Sequence, residues 1–92
     1  MIRSIRDQDT HELWQTGQSR RFSGISKVAL RKLDQLDASI TLEDMRAPPG
    51  NRLEKLKGGR AAQWSVRIND QWRLCFRFED GDAWDVEIVD YH

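Results

Sequence analysis

The last three residues of the sequence are Asp90, Tyr91 and His92, and each can take part in proton transfer. Upstream, "RLEKLKGGR" supplies Arg52, Glu54, Lys55, Lys57 and Arg60, and a strand-like stretch adds Arg67, Arg73 and Arg77. Carboxylate or imidazole can accept a proton, and Arg and Lys can hold developing negative charge. Imidazolium, or a phenol of lowered pKa, can return the proton. That set suits RNA cleavage by internal transesterification. The 2′-hydroxyl needs a base, the phosphorane needs a cation, and the leaving 5′-oxygen needs an acid. The chemistry requires no metal and no cofactor. The plainer reading is that polar residues at a terminus are solvated decoration. On residue chemistry alone the chain is a small α+β domain that leans toward RNA binding.

Other chemistries lack their residues. There is no Cys-x-x-Cys and no His pair four apart, so no metal site of ordinary spacing is expected. "KGGR" lacks the spacing of a phosphate-binding loop. A serine triad would need a histidine partner, and His11 is read as a surface residue of the first helix. Cys75 is read as a structural thiol. As the single cysteine it excludes an internal disulfide and fits a reducing compartment.

Composition adds a distribution rather than a sum. Fifteen bases balance fifteen acids across 92 residues. Yet Arg20, Arg21, Lys27, Arg31 and Lys32 stand together with no acid among them, and Asp34, Asp37, Glu43 and Asp44 follow with no base. From Arg46 to Arg77 bases dominate, with Glu54 and Asp70 the exceptions; from Phe78 onward there are only acids. Local potential, not net charge, attracts a polyanion. The alternative is that the blocks interleave in space and cancel. No signal peptide opens the chain, and no stretch approaches the ~20 apolar residues of a membrane span. A single cytoplasmic domain spanning 1–92, with no membrane partner, is expected.

Elements must hold the candidate groups together. "MIRSI" reads as a short first strand. "DTHELWQTG" reads as a helix capped by Asp9 and stopped by Gly17. Ile25, Val28, Ala29, Leu33 and Leu36 recur at helical spacing, predicting a second helix from a Ser23 cap, with Lys27, Arg31 and Lys32 on its solvated side. Thr41 can cap one further turn. "APPGN" ends helical structure, and the pattern then changes to period two. "RLEKL" is a short strand. "AAQWSVRI" and "QWRLCFRF" are joined at "ND", a two-residue type I′ signal. "AWDVEIVDY" follows "EDGD". Trp64, Trp72 and Trp84 fall on the inward parity, where a shared core is the preferred role. Arg67, Arg73 and Arg77 fall on the outward parity, and an arginine-dominated face favours anions. The expected architecture is α+β: an antiparallel sheet of about four strands, an N-terminal strand plus a C-terminal meander, with two main helices on one face.

Taken together, "MIRS", "PPGNRL", "LKG", "RINDQWR", "CFRF" and the final "VEIVDYH" resemble a HigB-type toxin of the RelE superfamily, from type II toxin–antitoxin systems. The resemblance covers essentially the whole chain. It implies a compact RelE-type sheet with helices packed on one face. The implied activity is ribosome-dependent endonucleolytic cleavage of mRNA in the A site, without metal, inhibiting translation. The implied partners are the ribosome, mRNA and a helix-turn-helix, HigA-type antitoxin, with operator DNA reached only through that antitoxin. Residue by residue, Asp90, Tyr91 and His92 match the functional C-terminal motif, Lys57 the cationic position, and Arg73 the arginine at the scissile phosphate. Glu54 departs, since some members carry histidine there. A carboxylate can accept a proton but does not donate one at neutral pH, which shifts the acid role to His92 or Tyr91. Arg52, Lys55, Arg60, Arg67 and Arg77 are expected to bind RNA or ribosome. Glu54 also keeps a second reading open: a ribosome- or RNA-binding translation inhibitor, or operon co-repressor, with weak or no cleavage.

Overall fold

The structure is a computed structural model, and it describes residues 1–58 and 62–90. Asp7, not Asp9, caps the first helix, α1 (Gln8–Thr16). Asp7 is extended at φ −127°, and its Oδ2 accepts from the Thr10 N–H at 3.0 Å. Asp9 already lies inside the first turn, where an acid favours the helix dipole. Gly17 ends α1 at φ +79°, its N–H donating to the Leu13 carbonyl at 2.8 Å. The second helix, α2 (Ser26–Ala38), starts later than the Ser23 cap predicts. Phe22 is fully buried and organises a turn first. Its carbonyl accepts from Ile25 N–H at 2.9 Å and from Ser26 Oγ at 2.8 Å. Ile25 therefore occupies the cap position, without a capping side chain.

Ala29, Leu33 and Leu36 are fully buried, with Ile25 and Val28 packed against the same core, so the apolar stripe is as the spacing predicts. Lys32 departs from the expected solvated side: it is only 8% exposed. After α2, Thr41 caps a 3-10 turn, Leu42–Met45. The capping box is closed by Asp44, whose carboxylate accepts from the Ile40 and Thr41 N–H groups at 2.8 and 3.0 Å. Those backbone hydrogen bonds hold the Asp44 carboxyl below its ordinary 3.8. A second 3-10 turn, Pro49–Asn51, carries the chain out of the proline segment.

Four antiparallel strands follow in spatial order: β1 (Glu54–Lys55), β2 (Gln63–Arg67), β3 (Trp72–Glu79) and β4 (Asp82–Asp90). The N-terminal segment does not become a full strand. It lies parallel to β4 through two isolated bridges, Ile2 to Ala83 and Ile5 to Val86. Its Arg3 and Arg6 N–H groups donate to the Ala83 and Val86 carbonyls. This covers the β4 edge that would otherwise offer unpaired backbone groups. Leu13, Phe22, Leu33 and Leu36 from the helical layer meet Val66, Leu74, Phe76, Val86 and Ile88 from one sheet face in a single core. No described helix is long and apolar enough to cross a membrane.

Two turns differ from each other in chemistry. At the β3–β4 turn, Asp80 (φ +51°) and Gly81 (φ +81°) are both left-handed between the paired Glu79 and Asp82. That is the two-residue geometry that Asp-Gly favours. The β2–β3 connection is not the predicted type I′ turn, because neither Asn69 nor Asp70 has a positive φ. The Asn69 side chain closes it instead, its Oδ1 accepting from the Gln71 and Trp72 N–H groups at 2.8 Å each. Asn commonly replaces a backbone turn with its own side chain in this way.

A bulge in β4 overturns one core assignment. Cys75 pairs with Glu87, but Arg77 pairs with Trp84, so β4 carries one extra residue there. Asp85 sits in the left-handed region at φ +53°, and its N–H donates to Ser4 Oγ at 2.8 Å. Past a bulge the side-chain parity inverts. Trp84 thus leaves the helix-covered face and joins Arg77, and Ala83 is the fully buried residue in its stead. Trp64 and Trp72 do pack on the core, half-buried.

Candidate functional site: a buried arginine beside a glutamate

Strand register decides which candidates share a face. Glu54, Ser65 and Cys75 align across β1, β2 and β3, and Arg67 faces Arg73 one step along. This second sheet face is not the solvated surface that alternation suggests. Ser65 is fully buried, Cys75 is 1% exposed and Arg73 only 7%. A charged side chain at that depth needs partners. Arg73 donates from Nε to Ser65 Oγ at 2.9 Å and from Nη2 to the Arg52 carbonyl at 2.7 Å. Glu54 Oε2 stands 3.8 Å from the same Nη2, with about half of the Glu54 side chain exposed (54%). The guanidinium is therefore fixed on its protein side, with a carboxylate beside it.

The Arg52 carbonyl is itself placed by unusual backbone. Arg52 is left-handed, φ 46° and ψ 59°, directly after the Pro49–Asn51 turn. Asn51, fully buried, donates from Nδ2 to the Met45 carbonyl at 3.0 Å and the Ala47 carbonyl at 3.1 Å. Its Oδ1 accepts from the Lys32 ammonium. Burial, and then the like charges of Arg31 and Arg67, push the Lys32 pKa below its ordinary 10.5. Sequence reasoning missed all three of Lys32, Asn51 and Ser65. Asn51 was hidden in a segment whose only structural reading was the end of a helix. Lys32 stands three residues after Ala29 and four before Leu36, a flank position of the buried stripe that could have flagged it.

The remaining candidates divide. Arg67 is ion-paired to Asp70 at the turn. Lys57 is exposed, close in sequence to Glu54. Lys55 projects on the other side of β1, its ammonium 5.9 Å from the Trp64 ring centroid. Arg77 lies four residues along β3, roughly 13 Å at the usual rise per residue. It is held there by Glu79, by Asp85 at 3.4 Å and by the Trp84 ring at 5.5 Å. It does not join the Arg73 group. Asp90 pairs with Trp72 rather than Arg73, so the pleat directs it to the opposite face, where Gln71 Nε2 donates to its Oδ2 at 3.2 Å. The expected convergence of Asp90 with Arg73 is therefore a neighbouring position along the strands and not a shared face. Arg60, Tyr91 and His92 lie outside the described residues.

This arrangement of sheet and helices is shared with known toxins. The chain aligns with a chain of the heterotetrameric YoeB–YefM toxin–antitoxin complex of Staphylococcus aureus at a TM-score of 0.58 and 20% identity, covering 100% of this chain and 98% of that one. It aligns with Escherichia coli YafQ at 0.55 and 12% identity, covering 98% and 93%. At such identities the likeness defines the fold, which is of the RelE type. The narrower placement comes from sequence: the family model for HigB, the RelE-like toxin of type II toxin–antitoxin systems, matches residues 3–92, and the chain belongs to that family. Toxin HigB-1 of Vibrio cholerae is 46% identical over 61 residues, spanning 66% of this chain and 64% of that protein, just under two thirds of its length. The endoribonuclease HigB of Proteus vulgaris is 28% identical over 98 aligned residues, spanning 100% of both.

Proposed function

We propose that this toxin is an endoribonuclease that cuts mRNA in the ribosomal A site by metal-independent acid/base transesterification, and so inhibits translation. The observation that carries the reading is the Arg73 guanidinium, buried on a sheet face by Ser65 and the Arg52 carbonyl and presented beside Glu54. A guanidinium held in this way is organised before substrate arrives, as stabilisation of a phosphorane requires. Glu54, within ion-pair reach of that guanidinium, serves as base toward the 2′-hydroxyl. His92 or Tyr91 supplies the proton to the leaving oxygen. Lys57, with Arg52, Arg60 and Arg67, provides the cationic surroundings for the RNA backbone. A helix-turn-helix antitoxin restrains the toxin, and operator DNA is reached through that antitoxin.

Deleting His92 tests the acid role. Induced expression of the shortened chain should leave cell growth unimpaired, while the purified chain still binds its antitoxin. Growth arrest equal to that of the full chain would rule the acid role out.

One observation favours the second reading, a ribosome or RNA binder with weak cleavage. Glu54 Oε2 stands 3.8 Å from Arg73 Nη2 and so occupies part of the space an RNA phosphate would take. If that ion pair persists on the ribosome, expression should stall translation with mRNA left intact.

A further inference from the structure

Arg73 is held by groups that take no part in the proposed proton transfers. Ser65 Oγ fixes Nε, and the Arg52 carbonyl fixes Nη2. Because the guanidinium is planar, two acceptors on two different nitrogens set its plane as well as its place. The second acceptor depends on a chain of contacts. Its residue is left-handed without being glycine, a conformation that persists only where the surroundings impose it. Asn51 supplies that constraint through its bonds to Met45, Ala47 and Lys32. Lys32 ties the turn to α2 from a position 8% exposed. Packing alone does not account for this choice, since an apolar side chain would fill the Lys32 position without desolvating an ammonium.

We propose that Lys32, Asn51 and Ser65 are positioning residues for Arg73, setting the plane in which its guanidinium meets an RNA phosphate. The inference rests on the reading of Arg73 as the phosphate-holding group. It locates the precision of the site in a buried polar chain from α2 to β3 rather than in the exposed residues. RNA affinity belongs mainly to the exposed cations, so disturbing the chain should slow the chemical step and leave binding nearly unchanged.

Two readouts test this. The first is solvent exchange of the Arg73 Nε–H resonance by ¹H–¹⁵N NMR, assigned through its loss in Arg73→Lys. Ser65→Ala should accelerate that exchange about tenfold, the equivalent of one hydrogen bond, and Asn51→Ala and Lys32→Met should accelerate it as well. The second is single-turnover cleavage of mRNA on programmed ribosomes. Ser65→Ala should lower the rate roughly 10- to 100-fold, the scale of a misplaced catalytic group, with the half-saturating concentration nearly unchanged. Ser65→Thr, which keeps the hydroxyl, should restore most of the rate. Ser65→Ala placed on Arg73→Lys should add little, because lysine has no Nε to lose. Unchanged Nε–H exchange in Ser65→Ala would overturn the inference. So would an equal loss of rate on the Arg73→Lys background, which marks a general defect of folding. A wild-type chain that leaves ribosome-bound mRNA intact would overturn the cleavage reading instead, and the exchange measurement would still decide the positioning role.

Discussion

Among the described residues, Arg73 and Lys32 are the two cations that the fold takes out of water, at 7% and 8% exposure, and they are held in different ways. Arg73 is met by a hydroxyl, a carbonyl and a nearby carboxylate, so its charge is compensated where it stands. Lys32 has the Asn51 amide oxygen, a neutral acceptor, and two arginines that repel it. Its pKa is lower in the folded chain than the ordinary 10.5 of an exposed lysine. Between those two values the unfolded chain binds more protons than the folded one, so this group's contribution to stability rises with pH across that window. Wild type should therefore gain thermal stability relative to Lys32→Met as pH is raised toward 10.5, and a constant gap in melting temperature would contradict this. Asp44 has the opposite dependence. Its folded pKa lies below 3.8, so the capping-box carboxylate stabilises fully above that value and loses its effect as pH falls through the lowered pKa. The melting temperatures of wild type and Asp44→Asn should differ near neutrality and converge in acid. At this scale the sequence was legible for the parity of Arg67 and Arg73, which do share a face, but not for the burial of Arg73. It was not legible for Asn51 or Ser65, because a buried polar side chain and a solvated one look alike until the chain covering them is known.

Elements show where periodicity succeeds and why it fails. The stripe from Ile25 to Leu36 gave the buried face of α2 correctly, since five apolar positions outvote any single neighbour. Leu36→Ala should accordingly cost about 2–5 kcal/mol in denaturant unfolding. Alternation through β4 failed at one residue. A bulge at Asp85 cannot be read from pattern alone, because the extra residue inverts parity without interrupting the strand. The consequence is functional as well as structural: Trp84 stacks on Arg77 on the second face, far from Arg73. The Asp80-Gly81 turn was legible because its geometry admits few residues. Alanine at position 81 would meet the Ile40 carbonyl at 3.3 Å from its Cβ, at a φ of +81°. Gly81→Ala should destabilise by about 1–2 kcal/mol, read as a lower denaturant midpoint. An unchanged midpoint would mean that the turn adopts another form.

Over the whole molecule the charge blocks separate into two regimes. The acidic block on β3 and β4 is partly cancelled, as the interleaving alternative anticipated. Asp82 pairs with Arg3 at 3.1 Å and the N-terminal amine at 3.5 Å, and Glu79 and Asp85 pair with Arg77. Such surface pairs each contribute no more than about 1 kcal/mol, but they tie up that end of the sheet. At the Arg73 end, Arg67 is paired to Asp70 and Arg73 stands near Glu54, while Arg52 and Lys57 are exposed. The proposed RNA site therefore lies where bases outnumber acids, on a RelE-type scaffold that helices close from the other face. The most direct test maps mRNA 5′ ends in cells after induced expression, with and without an antibiotic that blocks initiation. Cuts phased to the reading frame that vanish when ribosomes are cleared, and that fall about 10²–10³-fold in Arg73→Ala, are the expected result. Intact mRNA on stalled ribosomes, or cuts that persist without ribosomes or without Arg73, would contradict the account.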